Sequence, residues 1–173
     1  MAVKYKLQDL PNLSDKKIFV DANVLIYLFW PTGANHWERN YASALARLLK
    51  QGNQMLIDFC VLSEVVNHMM RIEHNKLQTM APYKDFRDSQ EGRDALLDIY
   101  FIVKEHILKI FNIVGKIYGQ KEIENFLIVD ELDFVDKSII NICKENDFVL
   151  LTNDKDFRDT DIDILTDNIH LLD

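Results

Sequence analysis

Four acids in this chain are spaced so that metal-assisted hydrolysis could use them. Asp21, Glu64 and Asp154 each follow an apolar run, and Asp136 opens a helical segment just ahead of the last of those runs. If the runs are parallel strands of one sheet, their C-terminal ends share an edge, and ligands bind at that edge in open α/β sheets. Four unpaired carboxylates in one pocket repel and raise one another's pKa values. Divalent cations remove that conflict. An oxygen-only ligand set suits Mg²⁺ or Mn²⁺, and neither the two cysteines nor the five histidines have zinc-site spacing. Each acid also has a plainer reading. Asp21 has the position of a helix N-cap. Glu64 complements a helix dipole. His68, one helical turn after Glu64, reads as a packing or hydrogen-bonding residue.

The elements that must position these acids follow from the apolar pattern. Ile18-Phe19-Val20 is contiguous, bulky and partly β-branched, which predicts a strand buried on both faces. Val24 to Phe29 begins a helix or a bent connection. Pro31 to Asn35 is a breaker. His36 to Gln51 is an amphipathic helix with Tyr41, Leu45, Leu48 and Leu49 on one face and Gly52 at its C-terminal cap. Gln54 to Cys60 is the second strand and Val61 to Leu77 the helix after it. Residues 78–93 form a charged surface connection. Asp94 to Tyr118 is the longest periodic segment, a helix whose wide apolar stripe suits packing on two sides, inside the domain or against a second subunit. Phe126 to Val129 is a minor strand or a helix start. Asp133 to Glu145 is a helix, Phe148 to Leu151 a buried strand, residues 159–167 an acidic loop, and Ile169 to Leu172 a last short strand. Residues 1–16 read as a polar arm whose Lys4 and Lys6 are solvated, phosphate contact being the alternative.

With 173 residues, 48% of them hydrophobic, the chain is expected to form one domain over 1–173 without crosslinks. Cys60 and Cys143 each lie in an apolar segment and read as small buried residues, which suits a reducing cytoplasm. No signal peptide and no apolar run of membrane-spanning length is visible. The net charge of −8 argues against a plain nucleic-acid-binding module. It does not argue against a nuclease, because bound cations reverse the field of an acid cluster.

The contexts of the four acids resemble the PIN domain family of ribonucleases. Phe19-Val20-Asp21-Ala22-Asn23-Val24-Leu25-Ile26 is similar to its first motif, Leu62-Ser63-Glu64-Val65-Val66 to its second, Asp136-Lys137-Ser138-Ile139-Ile140 to its third, and Leu150 through Phe157 to its fourth. The resemblance spans residues 18 to about 172. It implies a three-layer α/β/α sandwich with a central parallel sheet and metal-dependent cleavage of RNA phosphodiesters. It implies Asp21, Glu64, Asp136 and Asp154 as catalytic metal-binding acids, Asp156 as an accessory metal ligand, and Asn23 and Thr152 as polar supports. Many small members of the family are VapC-type toxins, blocked by a cognate antitoxin and often dimeric, which makes an antitoxin and a homodimer the partners to test. Two features depart from the compact pattern. The Glu64 to Asp136 interval is long, which implies a helical insertion at about 78–125. The third motif also has competing acids in Asp130, Glu131 and Asp133, and Asp133 lies one helical turn from Asp136.

Three other readings fit parts of the pattern. A Mg²⁺-dependent phosphohydrolase of the haloacid-dehalogenase type needs an acid two residues after Asp21, where this chain has Asn23. A receiver-like domain needs a lysine after a late strand, for which Lys155 is the candidate. A non-catalytic protein-binding scaffold would keep the acids for capping and solubility.

Overall fold

The computed structural model describes residues 2–30, 33, 35–77 and 82–172. Most of the breaker at 31–35 (residues 31, 32 and 34) and the start of the connection at 78–93 (residues 78–81) lie outside the described residues. Six strands form one sheet: β1 (Lys4–Lys6), β2 (Lys17–Val20), β3 (Gln54–Ile57), β4 (Asn112–Ile113), β5 (Val149–Leu151) and β6 (Ile164–Thr166). Their order is β1-β6-β5-β2-β3-β4, and every pair is parallel. The inner strands are apolar on both faces: Ile18, Phe19, Val20, Val149, Leu150, Leu151, Ile164 and Leu165 are all buried. A sheet covered on both sides needs such runs, because no face is left for water.

The order places the site. From β2 the chain steps to β3 and then β4 in one direction, through α1 (Ala22–Phe29), α2 (Asn35–Lys50), α3 (Phe59–Lys76), α4 (Tyr83–Asp88), α5 (Gln90–Ile102) and α6 (Leu108–Ile110). It then returns through α7 (Gln120–Phe126) and α8 (Phe134–Asn146) to β5, on the other side of β2. Right-handed crossovers running in opposite directions put their helices on opposite faces, which gives three layers. The reversal falls between β2 and β5. A crevice opens at such a switch point, outside the carboxyl ends of the two strands.

Several local expectations are corrected. The segment Asp94–Tyr118 is not one helix. Ser89 caps α5, its hydroxyl accepting from the Gly92 N–H at 3.1 Å, and a π-turn over Val103–Ile107 leads into α6, which ends at Ile110. The chain then turns extended at Phe111, and Asn112–Ile113 pair with β3. Local periodicity favours continuing the helix, but the open edge of β3 offers unpaired backbone groups, and the Val114 N–H reaches the Ile57 carbonyl at 2.8 Å. Residues 1–16 contribute an edge strand, β1, not only an arm. The second strand stops at Ile57 because Asp58 caps α3, accepting from the Val61 N–H at 2.7 Å. This puts Cys60 in the first turn of α3, where it is exposed and not buried; Cys143 is buried. Phe126 closes α7. The last strand is Ile164–Thr166, inside the expected acidic loop, and Ile169–Leu171 is a 3₁₀ turn initiated by Asn168, whose Oδ1 accepts from the His170 N–H. Among the described residues no helix is long and apolar enough to cross a membrane.

Candidate metal centre

Asp21 is the first residue beyond β2 and the N-cap of α1. Its carboxylate is 6% exposed and has three donors. Oδ1 accepts from the Ala22 N–H at 2.7 Å; Oδ2 accepts from Asn23 Nδ2 at 2.7 Å and from Thr152 Oγ1 at 2.6 Å. Thr152 is the first residue beyond β5 and is fully buried. Its hydroxyl donates to Asp21 and accepts from the Asp154 N–H at 2.9 Å, so one side chain ties the exits of both strands. Asn23 Oδ1 accepts from the Asn153 N–H at 3.2 Å, a second tie across the crevice. Asp154 caps a 3₁₀ turn over Lys155–Phe157, with Oδ1 accepting from the Asp156 N–H at 3.0 Å.

The remaining acids come from the helices. Asp58, not Glu64, caps α3, so Glu64 stands a turn further along at the rim of the crevice. Asp133 caps α8: its Oδ1 accepts from the Val135 and Asp136 N–H groups at 2.7 and 2.8 Å, while Asp136 Oδ2 accepts from the Asp133 N–H at 3.2 Å. Asp21, Asn23, Glu64, Asp136, Asp154 and Asp156 thus meet on one cleft of about 280 Å³, and Glu131, Asp133 and His68 line it with them. Asp130 is drawn aside to Lys137, 2.9 Å away, and lies outside the lining. Thr152 lies beneath the cleft against Asp21.

Behind Thr152 lies a support that sequence reasoning missed. Tyr41, on α2, is wholly buried, and its hydroxyl reaches the Thr152 carbonyl at 3.1 Å and Asn153 Oδ1 at 3.0 Å. It also accepts from the Asp167 N–H at 3.1 Å. Asn168 Nδ2 donates to the Asn153 carbonyl at 2.7 Å. The signal available in the sequence was the polar hydroxyl of Tyr41 on an otherwise apolar helix face.

The cleft carries uncompensated negative charge. Burial pushes the Asp21 carboxyl up to about 6; the Thr152 and Ala22 hydrogen bonds oppose this, while Glu64 and Asp154 add to it. Burial, then the charge of Asp133 and those of Asp21 and Asp154, raises Asp136 to about 7. Glu64 is raised by partial burial and by Asp133, Asp136 and Asp154. Among the described residues, no lysine or arginine lines the cleft. A hard divalent cation fits this donor set, since it accepts carboxylate oxygens and neutralises their mutual repulsion. The carboxylates do not stand as a closed cage: among the described residues, no three His, Cys, Asp or Glu side chains form a group able to hold a cation as they are. Several of their oxygens instead accept from neighbouring N–H and O–H groups, as detailed above.

A family model described as "PIN domain" matches residues 18–163. No curated protein matches the chain. Among solved structures, the crystal structure of PAE2754 from Pyrobaculum aerophilum is similar, with a TM-score of 0.51 and 15% identity over 91% of this chain and 88% of that one. That likeness bears on the fold alone.

Proposed function

The chain belongs to the PIN domain family, whose members are in general metal-dependent nucleases, and from that premise we propose that it is a Mg²⁺- or Mn²⁺-dependent endoribonuclease. The observation that carries the reading is the meeting of Asp21, Glu64, Asp136 and Asp154, from four separate segments, on one cleft that, among the described residues, no lysine or arginine lines. These four are the proposed catalytic metal-binding acids, with Asp156 accessory. These acids would hold a divalent ion, which would lower the pKa of a water for in-line attack and offset charge on the scissile phosphate. The protein's own part is to place and orient. Thr152 and Asn23 fix Asp21 Oδ2, and the Asp133 N–H fixes one oxygen of Asp136. The second oxygen of Asp154 makes no bond within the network described above. The products carry 5′-phosphate and 3′-hydroxyl ends. The receiver-like reading is disfavoured because Lys155 does not line the cleft.

Within the family we place the chain with the toxin-like members, a cognate antitoxin and a second copy being its candidate partners. The test is cleavage of end-labelled structured RNA in Mg²⁺ or Mn²⁺ against EDTA. Wild type runs beside Asp21→Asn and Asp154→Asn. Asp154→Asn keeps Oδ1 for the Asp156 N–H, whereas Asp21→Asn turns a second donor toward Asn23 Nδ2, so the two variants separate lost charge from lost geometry. Metal-dependent cleavage lost in both is expected. Undiminished cleavage by Asp154→Asn would overturn the assignment.

A further inference from the structure

A second cavity, of about 480 Å³, adjoins the acid cleft. Its lining is Glu131, Lys155, Asp156, Arg158, Asp159 and His170. Glu131 and Asp156 line both cavities and so form their common wall. The rest of the groove is different in kind. Asp159 is engaged by Arg158, whose Nε and Nη2 donate to it at 3.3 and 3.2 Å. Lys155 is exposed, and among the described residues neither its ammonium nor the His170 ring has a hydrogen bond or ion pair. Residues i and i+3 eclipse in a 3₁₀ turn, which sets Lys155 and Arg158 one above the other. The turn at Ile169–Leu171 packs against the turn at Lys155–Phe157 and brings His170 to the same groove.

We propose that this groove, with Lys155 and His170 as its anchoring side chains and the Arg158–Asp159 pair beside them, holds a phosphate of the RNA strand flanking the bond to be cut. The proposal rests on the nuclease reading and specifies how its polyanionic substrate is held. A chain of net charge −8 with an acid-lined cleft repels RNA on balance. Cationic side chains next to the cleft supply local attraction, and each phosphate contact adds to the salt dependence of binding. The shared wall of Glu131 and Asp156 stands between the flanking phosphate and Asp21, Glu64, Asp136 and Asp154, and Lys155 with Arg158 offsets its charge on the groove side.

The test is fluorescence anisotropy with a labelled, mixed-sequence single-stranded RNA in Mg²⁺, across a salt series. The full chain carries Glu64→Gln so that the strand stays intact. Lys155→Gln, His170→Gln, Lys155→Arg and a control, Lys50→Gln, are compared. Lys50 ends α2, at the opposite edge of the sheet, and changes the net charge by the same amount. Lys155→Gln is expected to weaken binding about fivefold and to flatten the salt slope by about 0.7, the share of one phosphate contact on a single strand. His170→Gln weakens binding less, Lys155→Arg restores it, and Lys50→Gln leaves it unchanged. Mn²⁺ titration stays as in the parent for Lys155→Gln, which separates a lost phosphate contact from a disturbed acid cleft. Equal effects of Lys155→Gln and Lys50→Gln, or no RNA binding by the parent, would overturn the groove. Cleavage by the wild-type chain is scored separately: its absence alongside a Lys155-dependent affinity sinks the nuclease reading and leaves the groove standing.

Discussion

Thr152 Oγ1 stands 2.6 Å from Asp21 Oδ2, although the two residues are 131 positions apart in the chain. The bond joins the carboxyl ends of the two strands between which the sheet reverses its winding. It gives a desolvated carboxylate its strongest side-chain donor, and the same hydroxyl receives the Asp154 N–H. Two proposed metal-binding acids are therefore aligned by one hydroxyl.

Thr152→Val keeps the branched shape and removes that hydroxyl. It leaves Asp21 short of a donor and the Asp154 N–H short of its acceptor. Losing a hydrogen bond to a buried charged group costs about 1.5–3 kcal/mol. The variant is expected to lose about that much unfolding free energy in chemical denaturation, with a lower midpoint, and to cleave at least about tenfold more slowly. Thr152→Ser, which restores the hydroxyl, recovers most of the rate. A Val variant with wild-type kinetics would show that Thr152 does not position Asp21.

Asp133 and Asp136 separate by what each oxygen is already doing. Asp133 Oδ1 is committed to two backbone N–H groups of α8, and the residue is exposed; Asp136 is half-buried and faces the other acids. Asp133→Asn preserves the cap and is expected to retain most activity, while Asp133→Ala loses about 1 kcal/mol of stability. Asp136→Asn keeps an oxygen for the Asp133 N–H but lowers cleavage at least about a hundredfold. Equal losses in Asp133→Asn and Asp136→Asn would make Asp133 a direct participant. Stability by chemical denaturation and cleavage rate are read on the same preparations.

Asp21 and Asp154 could be set at one sheet edge from the sequence because each closely follows a strand with a strong local signature, whereas Glu64 and Asp136 lie inside helices and were proposed as ligands from the family resemblance. Ile18-Phe19-Val20 and Val149-Leu150-Leu151 are short, wholly apolar and partly β-branched, so both the strands and their exits can be read directly. Strand β4 was not legible. Two residues carry no period, and only the open edge of β3 makes Asn112 and Ile113 extended. Ile164–Thr166 was hidden in the same way, by its brevity and its acidic flanks. The layer behind the site was illegible for another reason. Tyr41, Thr152, Asn153, Asp167 and Asn168 converge only in three dimensions, and beyond the polar hydroxyl of Tyr41 on its apolar face nothing in their local sequence announces it.

Tyr41→Phe tests that layer. The hydroxyl is wholly buried among polar groups, and burial holds its pKa far above the ordinary tyrosine value, so it acts as a neutral donor and acceptor. Removing it strands the Asp167 N–H and weakens the hold on the loop after β5. A loss of about 1–3 kcal/mol is expected for the unsatisfied buried groups. Because Thr152 and Asn153 are the residues released, cleavage should fall as well, with metal affinity reduced and substrate KM little changed. Lost stability with unaltered metal affinity would confine Tyr41 to a packing role.

The protonation of the cleft gives the last prediction, on the metal-free protein. Asp21 is raised from 3.8 to about 6 and Asp136 from 3.8 to about 7. Between those limits the folded chain binds more protons than the unfolded chain, so these groups make stability fall as pH rises. Their contribution is complete below pH 3.8 and lost above about 7. Each group changes stability by at most about 1.4 kcal/mol per pH unit within its window, and less for Asp136, which is partly open to solvent. Thermal denaturation in EDTA is expected to show wild type losing stability relative to Asp136→Asn as pH rises from 4.5 to 7.5, roughly the span of these shifts. Millimolar Mg²⁺ or Mn²⁺ should reverse the trend for wild type alone, because a cation binds the deprotonated acids and stabilises the fold more strongly at higher pH. Parallel pH profiles for wild type and Asp136→Asn in EDTA would mean that neither burial nor the neighbouring acids oppose the ionisation of Asp136.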